Sequence, residues 1–424
     1  MKSILRYCLK ICSRIILWKY KPKIISITGS VGKTSTKEAI FAVLSSEYNV
    51  RKSEKNYNNE IGLPLAILGL ESPGKNIFGW LAAFFKAWKM IIFKVLFPEI
   101  LILEMGADRP GDIGYFTSFI KSDVAAVTAL GEIPVHVEFY SGPEEVAREK
   151  AKLVASLNAR GAAILNYDDI AVLAMKEKTS AKIITYGFGQ GADLRATDIR
   201  FNEEKSGKIE LNFKLNYAGK VVPIWLPNIL AKHQIYASLS AVACGIIFGM
   251  NLVKISEALK EFRPPQGRMN LIKGNKNTRI IDDTYNASPD SMAAALEVLG
   301  ELKGKRKIAV LSDMLELGKY SVEAHQAIGN KALKVSDIII TVGERAKFIA
   351  YEARSLKPEI KVLEFSTSEE VGKELEKIIE SGDLILVKGS QGMRMEKIVE
   401  EIMAEPEKAK DLLVRQEEFW KMKN

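Results

Sequence analysis

Ile24-Ile25-Ser26-Ile27-Thr28-Gly29-Ser30-Val31-Gly32-Lys33-Thr34-Ser35 begins as a β-rich apolar run and ends where the helical run TKEAIFAVLSS begins. A strand, a glycine-bearing turn and a helix N-terminus, in that order, make a phosphate cradle. The glycines let backbone N–H groups wrap around phosphate oxygens, and the helix dipole favours the anion. Lys33 has the reach for the β- and γ-phosphates, and Thr34 offers a hydroxyl to Mg²⁺. The general pattern GxxxxGK[ST] places a further glycine at position 27, where this chain has Ile27. Gly29, Ser30, Val31, Gly32, Lys33, Thr34 and Ser35 are therefore the candidate nucleotide-binding residues.

Outward from this loop, short β-rich runs alternate with helical patterns, which predicts an α/β fold around a largely parallel sheet. Strands are expected at 24–30, 100–106, 124–130 and 162–168. Residues 193–226 alternate apolar and polar side chains around Tyr217-Ala218-Gly219 and predict antiparallel strands. A helix is expected over 233–249. Arg263-Pro264-Pro265-Gln266-Gly267-Arg268 is a stiff breaker. Beyond it, strand-like runs at 279–286, 307–314, 337–343, 361–366 and 383–390 predict a second, Rossmann-like α/β domain. The expected division is a basic amphipathic segment (1–22), a P-loop ATP-binding domain (23–262) with a basic apolar insertion (72–98), and a C-terminal domain (263–424).

The chain has 424 residues, 47% apolar and 27% charged, a balance that fits two or three packed domains and excludes disorder. Cys8, Cys12 and Cys244 build neither a disulfide framework nor a zinc site, so a reducing, cytoplasmic setting is expected. Arg6, Lys10 and Arg14 interrupt the first apolar residues, unlike a secretory signal. The net charge of +9 is concentrated: residues 1–23 and 72–98 hold basic side chains and no acidic one. The remainder is near neutral, which argues against nucleic acid as a partner. At 100° per residue Lys2, Arg6, Lys10 and Arg14 share one helical arc, opposite Leu5, Cys8, Cys12, Ile15 and Ile16. In 77–97, Lys86, Lys89 and Lys94 again cluster. Neither segment has the ~18–20 uninterrupted apolar residues of a membrane span. Both predict interfacial helices on an anionic surface, with Trp18, Trp80 and Trp88 at headgroup level.

The short form of the phosphate loop resembles the ATP-dependent Mur ligases and their folylpolyglutamate synthase relatives. Asn56-Tyr57-Asn58-Asn59-Glu60-Ile61-Gly62-Leu63-Pro64, Glu104-Met105-Gly106-Ala107 and Asp282-Asp283-Thr284-Tyr285-Asn286-Ala287 with Ser291-Met292 are similar to one branch of that family. So are Asp313-Met314-Leu315-Glu316-Leu317-Gly318 with His325, and Lys388-Gly389-Ser390. That branch adds D-alanyl-D-alanine to UDP-MurNAc-tripeptide. The resemblance covers about residues 24–400.

It implies an ADP-forming ligase that joins a peptide-precursor carboxylate to an amino-acid or dipeptide amine through an acyl phosphate. ATP and two Mg²⁺ ions are the implied cofactors. Thr34 and Glu104 would hold one metal; His136 and a carbamylated Lys150 would hold the other. Lys33, Glu104, His136, Lys150 and Arg268 are the implied catalytic set. Arg268 would lie near the phosphates, Asp283 on the ribose, and Tyr285, Asn286 and His233 against the nucleotide. Asn166-Tyr167-Asp168-Asp169 resembles a strand-end motif of the family whose role stays open. Gln234 and Ala237 replace two family asparagines on the adenine side.

Full-length members of the family begin with a UDP-sugar domain, whereas here the loop glycine is already residue 29. Together with the basic apolar segments, this leads to the expectation of a membrane-bound, lipid-linked precursor and a peripheral enzyme on the inner face. Two alternatives are a soluble acceptor, as in folylpolyglutamate synthesis, and a catalytically idle ATP-binding module recruited to the membrane. The sequence leaves the oligomeric state open.

Overall fold

The structure is a computed structural model that describes residues 2–54, 57–203 and 209–421. Helix α1 (Lys2–Tyr20) leads through Lys21 and Pro22 into β1 (Lys23–Thr28). Then follow α2 (Lys33–Leu44), β2 (Val50–Lys52), α3 (Gly62–Leu68), α4 (Ile77–Ile92), β3 (Ile100–Glu104) and α5 (Asp112–Thr117). β4 (Val124–Val127), α6 (Pro143–Ala155), β5 (Ala162–Asn166), α7 (Ile170–Leu173) and β6 (Lys182–Gly187) continue the alternation. β7 (Leu194–Glu203), β8 (Ile209–Tyr217) and β9 (Lys220–Pro227) precede α8 (Gln234–Ile247) and α9 (Leu252–Leu259).

These strands form one nine-stranded sheet in the order β2-β3-β1-β4-β5-β6-β7-β8-β9. It is parallel as far as β7, and β7, β8 and β9 pair antiparallel, as the alternation at 193–226 predicts. β3, β4 and β5 are buried along their whole length, because helices cover both faces; this is why they read as continuous apolar runs. Ile40 and Val43 of α2 meet Leu239 and Val242 of α8 in the core on one face. Leu63 and Ile67 of α3, Ile113 and Phe116 of α5, and Leu153 of α6 fill the other.

The second sheet holds β10 (Asn270–Gly274), β11 (Thr278–Asp283), β12 (Lys307–Ser312), β13 (Ile338–Val342), β14 (Lys361–Phe365) and β15 (Leu384–Lys388). Its order is β10-β11-β15-β12-β13-β14, with β10 the antiparallel edge. Helices α10 (Pro289–Glu301), α11 (Ser321–Val335) and α12 (Lys347–Leu356) pack on one face. α13 (Ser368–Ile378) and α14 (Glu396–Ile402) pack on the other.

Strand order places the site. β1 lies between β3 and β4, so the chain leaves β1 toward one side and returns on the other, and a crevice opens at the carboxyl ends of these strands. The phosphate loop follows β1, and Glu104 ends β3. In the second sheet Asp283 and Lys388 end the neighbouring strands β11 and β15 in register with one another.

The N-terminal segment and the 72–98 insertion are helical as expected, but their faces differ from the expectation. Leu9, Cys12 and Ile16 of α1 and Ala87 of α4 are buried against Leu65 and Leu68 of α3. Lys19 Nζ donates to the carbonyls of Met90 and Ile91 at 3.0 and 2.9 Å, capping the last turn of α4. The basic arc of α1 is not a free face: Arg6 pairs with Glu60, and Lys10 donates to Ser118 Oγ at 2.9 Å. Ile15, expected beside Ile16, points outward with Ile4, Tyr7, Ile11 and Trp18. Among the described residues no helix is long and apolar enough to cross a membrane.

Candidate active site

The loop after β1 has the backbone its glycines permit. Gly29 has φ +145°, and a Cβ there would lie 1.9 Å from Thr128 Oγ1; Gly32 has φ +85°. The Ser30 and Val31 N–H groups donate to the Ala129 carbonyl at 2.7 and 3.1 Å. Lys33 Nζ donates to the loop carbonyls of Gly29 and Ser30 at 2.8 and 3.3 Å, within reach of any anion seated in the turn. Burial pulls this ammonium below the usual lysine range, Glu104 opposes the shift, and Arg268 adds to it. An anion would reverse the cost of that buried charge.

Beside the loop, Thr34 Oγ1 donates to Glu104 Oε1 at 3.3 Å, and Arg268 Nη2 donates to Thr34 Oγ1 at 3.3 Å. Glu104 Oε2 is buried without a hydrogen bond; Lys37 Nζ lies 3.8 Å away. A hydroxyl and a carboxylate side by side, one oxygen of the pair unsatisfied, suit a hard cation. Among the described residues no three His, Cys, Asp or Glu side chains form a complete metal cage.

Lys150 projects from α6 and is 1% exposed. Burial, with Lys33 adding its repulsion against Asp108 and Glu149, brings its ammonium down to about 7. A largely neutral amine at physiological pH is the form that reacts with CO₂. His136, expected to share a metal with Lys150, has its ring between two carboxylates. Nδ1 lies 2.6 Å from Glu316 Oε2 and Nε2 lies 3.3 Å from Asp108 Oδ1. His136 and Glu316 both take left-handed backbone conformations, φ 66° and 64°. This contact ties the loop after β4 to the DMLELG segment of the second sheet.

The second sheet closes the cleft. Lys388 Nζ donates to Asp283 Oδ2 at 2.6 Å and to the Asn286 carbonyl at 2.9 Å. The Arg268 guanidinium stacks 4.1 Å from the centre of the Tyr285 ring. His233, at the N-terminus of α8, is pulled to about 4 by burial, with Asp283 opposing and Lys388 and Arg268 adding, so its imidazole is neutral. All these side chains line one cleft of about 890 Å³ together with Lys33, Glu104, His136 and Lys150. Of the sequence-predicted site residues, all but Gly29 and Thr34 line it; Gly29 bonds to Lys33, and Thr34 bonds to Glu104 and Arg268. Asn58 and Asn59 also line it, while Asn56 lies outside the described residues.

Where the resemblance places the adenine, Gln234 is 1% exposed with Oε1 unbonded, beside Ala237. Asp168 accepts from Tyr236 Oη at 2.9 Å and from the Phe188 and Gly189 N–H groups. Asp169 caps α7 through Val172 N–H and accepts from Leu130 and Gly131, so this motif braces loops around the cleft. His325 is fully buried and accepts from Met314 N–H at 2.9 Å; it shapes the DMLELG turn. Sequence reasoning missed Asp108, Lys37 and Arg415 as parts of the site or its frame. Arg415 pairs with Glu396 at 2.7 Å and grips the Thr284 carbonyl, holding the DDTYNA turn from the C-terminal segment.

The Mur ligase middle domain matches residues 27–78 and 93–245, and the Mur ligase glutamate ligase domain matches 267–391. UDP-N-acetylmuramoyl-tripeptide--D-alanyl-D-alanine ligase of Bacillus subtilis is 31% identical over 386 residues, covering 91% of this chain and 76% of its own length. The Escherichia coli protein of the same name is 28% identical over 385 residues, covering 89% of this chain and 76% of its own length. The crystal structure of MurF from Acinetobacter baumannii superposes with a TM-score of 0.77 at 27% identity, covering 93% of this chain and 79% of that one. MurF ligase from Thermotoga maritima in complex with ADP gives 0.77 at 25% identity, covering 95% and 84%. Cleft, strand order and motifs thus converge with direct similarity, and the chain belongs to the Mur ligase family, on its UDP-N-acetylmuramoyl-tripeptide--D-alanyl-D-alanine ligase branch.

Proposed function

We propose that this chain is an ATP-dependent, ADP-forming peptide ligase of cell-wall precursor synthesis, joining the carboxylate of a muramoyl tripeptide to the amine of D-alanyl-D-alanine. One observation carries the reading: Lys33, Glu104 (with Thr34 bonded to it), Lys150 and Arg268 meet in a single cleft walled by Asp283 and Lys388 from the other sheet. Lys33 and Arg268 neutralise charge on the transferring phosphoryl group. An oxygen of the precursor carboxylate attacks the γ-phosphorus and ADP leaves. The dipeptide amine then attacks the acyl carbon, inorganic phosphate leaves, and the amine proton is lost to solvent or a nearby base. Neither transfer needs a protein nucleophile.

Thr34 and Glu104 would hold Mg²⁺, which, when bound, offsets negative charge on the phosphates. Lys150, if carbamylated by attack of its neutral nitrogen on CO₂ with loss of one proton, would supply two hard oxygens for a second ion. His136 would offer that ion a ring nitrogen. Residues 23–262 act as the ATP-binding domain and 263–424 as the ligase domain that closes on it. The enzyme works peripherally on the inner face of the membrane, on a lipid-linked form of the precursor.

ADP release is the test, with soluble and lipid-linked muramoyl tripeptides and D-alanyl-D-alanine against other amines. Release that requires both the tripeptide and D-alanyl-D-alanine supports the reading. Release with a folate and glutamate in their place, or none with any acceptor, overturns it.

A further inference from the structure

Two helices carry more apolar surface than the fold consumes. α1 leaves Ile4, Tyr7, Ile11, Ile15 and Trp18 open, with Trp18 76% exposed. α4 leaves Phe78, Leu81, Phe85, Trp88 and Ile92 open, with Phe78 81% exposed. Each set recurs in steps of three and four, so each is one stripe along its helix. The opposite faces of both helices meet in the cluster around Leu9, Ile16, Leu68 and Ala87. The stripes therefore lie on the outside of that cluster. Aromatic side chains bring roughly 150–250 Å² each, so the open surface exceeds the few hundred Å² that soluble monomers leave in one apolar patch.

Charge separates the candidate occupants. Residues 1–23 and 72–98 contain no acidic side chain. Arg14, Lys86, Lys89 and Lys94 are exposed, and among the described residues none has a carboxylate within ion-pair distance. A protein interface core is depleted of lysine, whereas an interfacial helix on a lipid leaflet pairs an apolar stripe with flanking lysines and tryptophans. The family match, moreover, starts at residue 27 and breaks off between 78 and 93. The α1 stripe, and Leu81, Phe85, Trp88 and Ile92 of the α4 stripe, thus sit outside the matched catalytic domains.

We propose that α1 and α4 together form a docking surface for an anionic bilayer. The two stripes enter the acyl boundary, Trp18 and Trp88 lie at the headgroups, and Arg14, Lys86, Lys89 and Lys94 meet lipid phosphates. The turn between Tyr57 and Gly62 links this surface to the cleft. Tyr57 and Ile61 pack into the α1–α4 cluster, whereas Asn58 and Asn59 line the site, and the Asn58 carbonyl accepts from Gly106 N–H at 2.9 Å. Docking fixes that rim of the cleft relative to the lipid, an arrangement suited to a lipid-anchored peptide. The contact itself does not depend on the ligase reading; only the identity of the substrate rests on it.

The full chain is tested by co-sedimentation with vesicles of equal parts phosphatidylglycerol and phosphatidylcholine, and with phosphatidylcholine alone. Binding to the anionic vesicles, weakened by salt and by neutral lipid, is the expected result. The triple variant Lys86→Glu, Lys89→Glu, Lys94→Glu should bind about 100-fold more weakly, as three surface cations are removed and reversed. Phe85→Asp with Trp88→Asp should abolish the blue shift of tryptophan emission on lipid addition. Both sets should leave ADP release from a soluble precursor unchanged, since every altered side chain is exposed and outside the cleft. Intact protein that stays in the supernatant with anionic vesicles at low salt overturns the proposal. So does a dimer in sedimentation velocity that dissociates in the Phe85/Trp88 variant while lipid binding is absent, because the stripes then cover a second copy. Vesicle binding without ligase turnover removes the ligase reading alone; turnover without vesicle binding removes the docking surface alone.

Discussion

The phosphate-loop end of β1 and the α1–α4 surface lie at the two ends of one short stretch of chain, and they are built on opposite terms. At the loop, specific side chains pair with one another: Thr34 with Glu104, Lys33 with the Gly29 carbonyl, Arg268 with Thr34 and Tyr285. Replacing one atom there leaves a buried charge or dipole unpaired, which costs far more than an exposed contact. At the outer face of α1 and α4, side chains need only be large, apolar and flanked by cations. Specific chemistry demands fixed residues, while partition into a surface demands only character.

The sharpest way to break this contrast is Lys33→Ala. No other loop residue supplies that charge, so ADP release should fall at least about 100-fold while vesicle binding stays as in the parent protein. A fall in both would mean that the two ends are not independent. Lys150→Ala should lose most turnover as well, with partial rescue by short carboxylates that replace the carbamate oxygens. Because burial puts the amine at about 7, uptake of labelled CO₂ at Lys150 should rise as pH passes upward through that value, read by ¹³C NMR. Uptake that begins only in the usual lysine range would contradict the buried setting.

On the inner face of the surface, Leu9→Ala removes a fully buried side chain and should cost about 2–5 kcal/mol, measured by denaturant unfolding. Asp282 offers a pH-dependent comparison. Burial raises its carboxyl from 3.8 to about 7, against hydrogen bonds from Thr284, and Oδ2 has no partner. Between those values the folded state binds the extra proton, so this group's contribution is full at low pH and lost as pH rises through about 7. Asp282→Asn should therefore flatten the decline of Tm between mildly acidic and neutral pH relative to the parent. The smallest effect belongs to the outer stripe: Phe85→Ser should change unfolding free energy by no more than about 0.5 kcal/mol, because that ring is solvent-exposed.

The same contrast explains what was legible. β1, β3, β4 and β5 stand out because burial on both faces enforces continuous apolar runs. β2 and β10 escape notice: one is three half-buried residues and the other a short antiparallel edge. β6 also escapes, since its apolar stretch is brief and opens on exposed Lys182. Lys33 is singled out by the phosphate-loop pattern itself, whereas Glu104, Lys150 and Asp283 are named only through the family resemblance. Asp108 and Glu316 around His136, or Arg415 behind the DDTYNA turn, sit at sequence distances that only folding determines. For α1 and α4 the helices are legible but the outward face is not. Apolar residues occur on both sides of each, so a pattern cannot tell the side that packs from the side left open.

The short link between α1 and β1 has a metric consequence. Only Lys21 and Pro22 separate the end of α1 from the first residue of β1, and the strand runs six residues to the phosphate loop. At roughly 3.3 Å per residue, β1 is a stiff strut of about 20 Å. If α1 lies in a leaflet, that strut sets a ceiling on the height of the phosphate loop above the end of the helix. Chain length between lipid and reactive carboxylate then becomes a selection criterion: a tether too short for the climb could not deliver its end to Lys33, however well its chemistry matched.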